Sequence, residues 1–270
     1  MTDALKFSAN LKWLFTELPV EQRYDAAAAA GFKAAEFAWP YDQPVAFFRK
    51  LLTNSGLQQV LINTPVGAAG SVKASGQACH PDSMAAFMAD MEKVIEYAAG
   101  LSCRTIHLQS GIRQPDVSDE AAYSTLVENV RAAAELAARE DIELVLEAMN
   151  PHDNPRFILH TQAQALSVIQ DSGASNVKLL FDFYHTQRSE GDVTAKLHRF
   201  FPYIGHVQIA DSPGRNEPGS GELNWNFIFD ELINVGYRGW VGCEYRPLTN
   251  TRDGLVWRTH FPLADSQKAG

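Results

Sequence analysis

One phrase recurs along this 270-residue chain and constrains its fold more than any other feature. A helical, often alanine-rich stretch ends at a glycine, a short apolar run follows, and the run closes on a polar residue. The phrase surrounds Gly31 in AAAAAGFKAAEF, Gly56 in TNSGLQQVLIN, Gly100 in YAAGLSCRTIHLQ, Gly173 in DSGASNVKLLFD and Gly236 in NVGYRGWVGCE. Glycine tolerates the left-handed conformation that closes a helix, so each of these glycines marks a helix exit towards a strand. Strand tips then fall at Asn10, Phe37, Asn63, Gln109, Glu147, Asp182, Gln208 and Glu244, spaced 26 to 46 residues apart. Each interval accommodates one strand and one helix. Helical stretches are expected over 81–99, 118–140, 161–171 and 225–235, and Thr161 with Gln164 forms a capping box. Eight such units predict an α/β fold, a single (β/α)8 TIM barrel in one domain over 1–270. An open doubly wound sheet commonly carries a glycine-rich phosphate loop after its first strand, and FSANLKWLF holds none. The segment 64–80, TPVGAAGSVKASGQACH, reads as a mobile loop over the barrel mouth, with a passive surface insertion as the alternative.

Composition narrows the function. With 46% hydrophobic residues the chain can bury a large core. The balance of 23 Lys+Arg against 32 Asp+Glu gives a net charge of -9, which argues against nucleic acid or an anionic membrane as partner. Cys79, Cys103 and Cys243 are too scattered for a disulfide framework or a zinc motif, and they suit a reducing, cytoplasmic setting. MTDALKFSAN lacks the form of a secretory leader, and no apolar stretch is long enough to span a bilayer.

Barrel enzymes place their chemistry at the carboxyl ends of the strands. The last four tips are Glu147 in ELVLE, Asp182 in KLLFD, Gln208 in GHVQIAD and Glu244 in WVGCEY. Three carboxylates and an amide oxygen form an all-oxygen set suited to Mg2+ or Mn2+. Any one of them alone could instead cap a helix or pair with an arginine. His185, three residues past Asp182, could donate a hydrogen bond to a substrate oxygen. Arg215, in a proline- and glycine-rich loop, matches a substrate carboxylate, with pairing to Glu217 or Glu222 as the alternative. Asn63 at the third tip and Asp153 complete the candidate substrate contacts. His107 and His206 lie within strands and read as core or supporting residues, while Trp13, Trp39 and Phe15 read as core or pocket wall. Trp257 and Phe261 are expected to pack within the chain.

At these residues the chain resembles the hydroxypyruvate isomerase family, within the xylose-isomerase-like barrels that also include ketose 3-epimerases. The resemblance runs nearly end to end, through FSANLKWLF, AAEFAWPYD, LVENVRAAA, LEAMNPHD, FDFYHTQRSEGD, GHVQIADSPGRNEPGSGELNW and GWVGCEYRP. It implies a divalent metal, Mg2+ or Mn2+, on Glu147, Asp182, Gln208 and Glu244, with Glu147 and Glu244 as the acid/base pair and His185 and Arg215 against the substrate. The implied reaction interconverts hydroxypyruvate and tartronate semialdehyde. A 2-oxo-tetronate isomerase or ketose 3-epimerase on the same metal site is the alternative, followed by a non-catalytic sugar-acid-binding barrel. The implied partner is a small hydroxy or keto acid, and a homo-oligomer remains open. Ala148 stands where a proline often follows the first glutamate.

Overall fold

In a computed structural model, which describes residues 5–260, eight parallel strands close into a barrel in sequence order, β1 pairing with β8. The strands are β1 (Lys6–Asn10), β2 (Ala34–Glu36), β3 (Gln58–Asn63), β4 (Thr105–His107), β5 (Glu143–Glu147), β6 (Val177–Asp182), β7 (Ile204–Ile209) and β8 (Trp240–Cys243). Between them run α1 (Val20–Ala29), α2 (Val45–Ser55), α3 (Met84–Gly100), α4 (Asp119–Ala138), α5 (Gln162–Ser172), α6 (Phe183–Ser189), α7 (Val193–Phe200) and α8 (Trp225–Asn234). A 3-10 segment, Asp253–His260, follows β8. Phe261 lies outside the described residues, and no helix among those described is long and apolar enough to cross a membrane.

Several helix boundaries follow from the chemistry of their ends. Thr161 and Gln164 exchange side-chain to backbone hydrogen bonds at the start of α5, the expected capping box. Gly31, Gly56, Gly173 and Gly236 all adopt positive φ, as the recurring phrase predicts. Gly100 does not. It closes α3 in a helical conformation, and Ser102 takes the left-handed turn with φ 55°. Gly100 instead permits a close helix approach, since a Cβ there would lie 2.4 Å from Val45 Cγ1 of α2.

Strand alternation sorts the side chains into two populations. Outward residues such as Phe7, Ala9, Ile106, Leu144, Leu146, Leu179, Phe181, Val207, Ile209, Val241 and Cys243 join the main core between strands and helices. The alternate positions Leu61, Val145 and Leu180 form a separate small cluster, the apolar filling of the barrel. Two residues further along the same strands come Asn63, Glu147 and Asp182, so the interior turns polar at its carboxyl end. By the same alternation Ser8, Asn10, Glu36, His107, His206, Gln208 and Gly242 face inward. Trp257 packs internally, edge-on to Phe7 with its Nε1–H donating to Tyr245 Oη at 3.1 Å.

The expected tip of the second strand shifts by one residue. Phe37 lies just past β2 and turns outward, its ring 5.3 Å from Phe48 of α2 and 6.5 Å from Tyr24 of α1. Glu36 is therefore the residue aimed into the barrel. Segment 64–80 leaves β3 on this same side and is anchored over its second half. There Cys79 N–H donates to Ser110 O, Asn129 of α4 donates to Ala78 O, and Gly76 leaves no room for a Cβ against Gln109.

Gly242 makes space for Glu36, because a Cβ on it would stand 2.2 Å from Glu36 Oε1. Gly242→Ala is expected to cost about 1–3 kcal/mol through overpacking, lowering the melting temperature by several degrees. Thermal unfolding followed by circular dichroism checks this, and an unchanged midpoint would show that the carboxylate can move aside.

Candidate active site

Strands β5 to β8 carry the acidic end of the barrel. Asp182 is fully buried and divides its two oxygens between two tasks. Oδ1 caps α6, accepting from the backbone N–H groups of Tyr184 at 2.7 Å and His185 at 3.2 Å. Oδ2 is buried without a hydrogen-bond partner and lies 3.8 Å from Arg215 Nη2. Glu147 Oε1 is likewise buried and unpartnered. The His185 and His107 Nε2 atoms stand 3.8 and 3.6 Å from the Glu147 carboxylate, beyond ordinary hydrogen-bond reach. Glu244, just past β8, accepts from Asn10 Nδ2 at 3.1 Å and from Arg215 Nη2 at 2.5 Å.

His185 has a defined tautomer. Its Nδ1 accepts the Asn150 backbone N–H at 3.1 Å, a group that can only donate, so Nε2 carries the ring hydrogen. Burial first, then Arg215 and His107, holds its pKa well below the usual histidine range, so the ring is neutral. His185 thus presents a hydrogen-bond donor to the site. Asn150 also donates to Asp153 Oδ2 at 3.0 Å, and Tyr184 Oη donates to the same oxygen at 2.6 Å. Asp153 sits at the exposed edge and reaches the site through Tyr184 and Asn150. Asn63 ends β3 on the interior face, buried, its carbonyl accepting from Tyr41 Oη.

The loop after β7 is organised around Asp211. Its Oδ1 accepts from the N–H groups of Ser212 and Leu223, and its Oδ2 from those of Gly219 and Gly221. This fold delivers Arg215, at φ 55°, into the site between two aromatic faces, 4.5 Å from the Trp13 ring and 5.1 Å from Tyr184. Arg215 therefore pairs with Glu244 and Asp182 rather than with Glu217 or Glu222.

Electrostatically the site is short of positive charge. Burial, then the charges of Glu244 and Asp182, pushes Glu147 well above the carboxylate range. Burial also raises Asp182 and Glu244, although Arg215 pulls both back. Glu36 behaves differently. Burial alone would raise it, but the adjacent His206 and hydrogen bonds from His206, Ser8 and Gln208 hold it below its ordinary value. Its Oε1 accepts from Ser8 Oγ at 2.7 Å and His206 Nε2 at 2.9 Å. Its Oε2 accepts from Gln208 Nε2 at 2.8 Å and Asn10 Nδ2 at 3.3 Å. Glu36 does not stand out in the sequence because Phe37, one residue further on, ends the same apolar run. The one signal available in the sequence is an acid set within an apolar run.

Glu147, Asp182 and His185 offer atoms all within 4.8 Å of one another, an arrangement able to hold a metal ion. With Nδ1 accepting from Asn150, His185 Nε2 carries the ring hydrogen and would face a bound cation as a donor rather than as a ligand. The unpartnered oxygens Glu147 Oε1 and Asp182 Oδ2, among carboxyls that resist ionisation, fit a hard divalent cation.

The description "Xylose isomerase-like TIM barrel" matches residues 24–259. Hydroxypyruvate isomerase of Escherichia coli is 42% identical over 255 residues, covering 94% of this chain and 98% of that protein. The 2-oxo-tetronate isomerase of Pectobacterium atrosepticum is 38% identical over 254 residues, covering 93% and 96%. A crystal structure from Brucella melitensis described as an AP endonuclease, family 2, superposes with a TM-score of 0.92 at 36% identity, covering 95% of this chain and 98% of that one. The barrel, the family model and the relatives agree: the chain belongs to the hydroxypyruvate isomerase family of xylose isomerase-like TIM barrels.

Proposed function

We propose that this chain interconverts hydroxypyruvate and tartronate semialdehyde, using a divalent metal, Mg2+ or Mn2+, held by Glu147, Asp182, Gln208 and Glu244. The observation that carries the reading is the pair of buried, unpartnered carboxylate oxygens at the ends of β5 and β6, flanked by a third carboxylate and one stacked arginine. A bound cation would polarise the substrate carbonyl and stabilise negative charge on its oxygens.

The chain's own residues supply the proton transfers and the orientation. A proton leaves the hydroxymethyl carbon beside the keto group, another is delivered to the former keto carbon, and the hydroxyl proton passes between the two oxygens. Glu147 and Glu244 come from separate strands and serve as base and acid on the two carbons. Burial raises both above the ordinary carboxylate range, which favours their taking up a proton. The Nε2–H of His185 donates to an oxygen of the reacting segment. Arg215, held between Trp13 and Tyr184, receives the substrate carboxylate. A net charge of -9 favours such a localised anion site over a nucleic-acid groove. The three buried free cysteines suit a reducing cytoplasm. A longer sugar acid is the second reading, favoured by the 38% identity to a 2-oxo-tetronate isomerase. Relative kcat/KM on the two substrates separates them.

Glu147→Gln and Glu244→Gln are each expected to lower kcat on hydroxypyruvate by about 10²- to 10⁴-fold. Near wild-type turnover in a folded variant would remove the acid/base assignment. Arg215→Ala is expected to raise KM about 10- to 100-fold, the worth of a charged hydrogen-bonded contact. Unchanged KM would exclude Arg215 from carboxylate binding.

A carboxyl whose folded pKa lies above its unfolded value binds more protons folded than unfolded, so its stabilising contribution is lost as pH rises through the folded pKa. With Asp182 raised to about 6 and Glu244 to about 7, the metal-free protein should lose stability from these two groups as pH rises from the ordinary carboxylate range through those values, and Glu147, also raised, acts in the same direction. A divalent ion binds their ionised forms, so added Mn2+ should raise the melting temperature more at about pH 8 than at about pH 5. Equal shifts, or none, would contradict a metal on these carboxylates.

A further inference from the structure

Glu36 is a charge-bearing group that the proposed reaction does not use. It is 1% exposed, it has four hydrogen-bond donors around its two oxygens, and its neighbour on β8 is a glycine whose missing Cβ leaves space for it. Such a group needs a reason to be kept, because a buried carboxylate is costly even when it is well bonded.

Gln208 supplies the reason. A glutamine amide has two ends of nearly equal shape and opposite hydrogen-bonding character. Turned one way it offers an oxygen to a cation, and turned the other way it offers two N–H groups that repel one. An ionised carboxylate can only accept, so the end of Gln208 that meets Glu36 must be Nε2, as the 2.8 Å contact shows. The opposite end is then Oε1. We infer that Glu36 is a positioning residue, fixing the Gln208 amide so that its oxygen rather than its N–H group serves the metal; this rests on Gln208 being a ligand, as proposed above. Asn10 extends the arrangement. Its Oδ1 accepts the Lys12 N–H at 3.1 Å, so its Nδ2 is the end shared between Glu36 Oε2 at 3.3 Å and Glu244 Oε1 at 3.1 Å. One buried carboxylate thereby orients an amide on β7 directly and supports a glutamate beyond β8 through β1.

In Glu36→Gln the acceptor becomes an amide that can donate, and Gln208 is free to turn its oxygen inward. Titration of metal-stripped protein with Mn2+, following free Mn2+ by electron paramagnetic resonance, reads the effect directly. Glu36→Gln is expected to bind Mn2+ about 10- to 100-fold more weakly than wild type, the usual range for a residue supporting a metal ligand. Adding Gln208→Glu should restore most of the loss. A carboxylate has two equivalent oxygens, so one can accept from the amide at position 36 while the other faces the metal. Gln208→Glu alone gives the gain that a carboxylate ligand brings by its charge, and recovery in the double variant beyond that gain separates the paired arrangement from purely structural damage.

Wild-type affinity in Glu36→Gln would overturn the inference, as would a folded double variant that fails to regain affinity. If Glu36→Gln does not fold, the double variant alone decides, since it preserves the total charge: Mn2+ binding close to wild type supports the inference and weak binding overturns it. Absence of Mn2+ binding by the wild type would instead bring down the metal assignment itself, and this inference with it.

Discussion

Four carboxylates are carried into the interior of one small barrel mouth, and the rest of the site follows from how their charge is managed. Strand alternation leaves no choice about direction, because residues two apart share a face. Glu147 and Asp182 follow Val145 and Leu180, so the acids rest on an apolar floor and cannot be solvated from below. Glu36 is satisfied internally by Ser8, Asn10, His206 and Gln208. Glu147 and Asp182 each keep an oxygen without a hydrogen-bond partner, and Glu244 relies on Arg215 and Asn10. One side of the mouth is therefore saturated by hydrogen bonds and the other offers its free carboxylate oxygens to a cation.

The surrounding structure serves this asymmetry. Asp211 gathers four backbone N–H groups and so shapes the loop that presents Arg215. Trp13 and Tyr184 both lie against the guanidinium, which restricts its motion and would lower the entropy lost on engaging an anion. Tyr184 is itself tied to Asp153, and Asp153 to Asn150, whose backbone N–H sets the tautomer of His185. Arg215 and His185, the groups proposed to meet the substrate, are thus held in place by their neighbours.

The barrel was legible because its signal is local and repeated. Helix exits at Gly31, Gly56, Gly173 and Gly236 use the left-handed conformation that only glycine adopts freely, and strands follow within a few residues. Gly100 carried the same pattern for another reason, a close approach to Val45 that depends on packing between helices distant in sequence. The acids on the last strands could be found by position, since each ends or adjoins an apolar run. Glu36 was missed because a three-residue strand gives too little alternation to reveal which of Glu36 and Phe37 points inward. The couplings of Asn150 with His185 and of Arg215 with Glu244 join residues 35 and 29 positions apart, and no local pattern encodes them.

The central claim is metal-assisted proton transfer on a small keto acid, and proton NMR of hydroxypyruvate in D2O tests it most directly. Chelator-stripped protein is compared with the same sample after Mg2+ or Mn2+ is restored. Tartronate semialdehyde is expected only in the metal-loaded sample, with deuterium entering at carbon. Neither conversion nor exchange by folded, metal-loaded protein would contradict it.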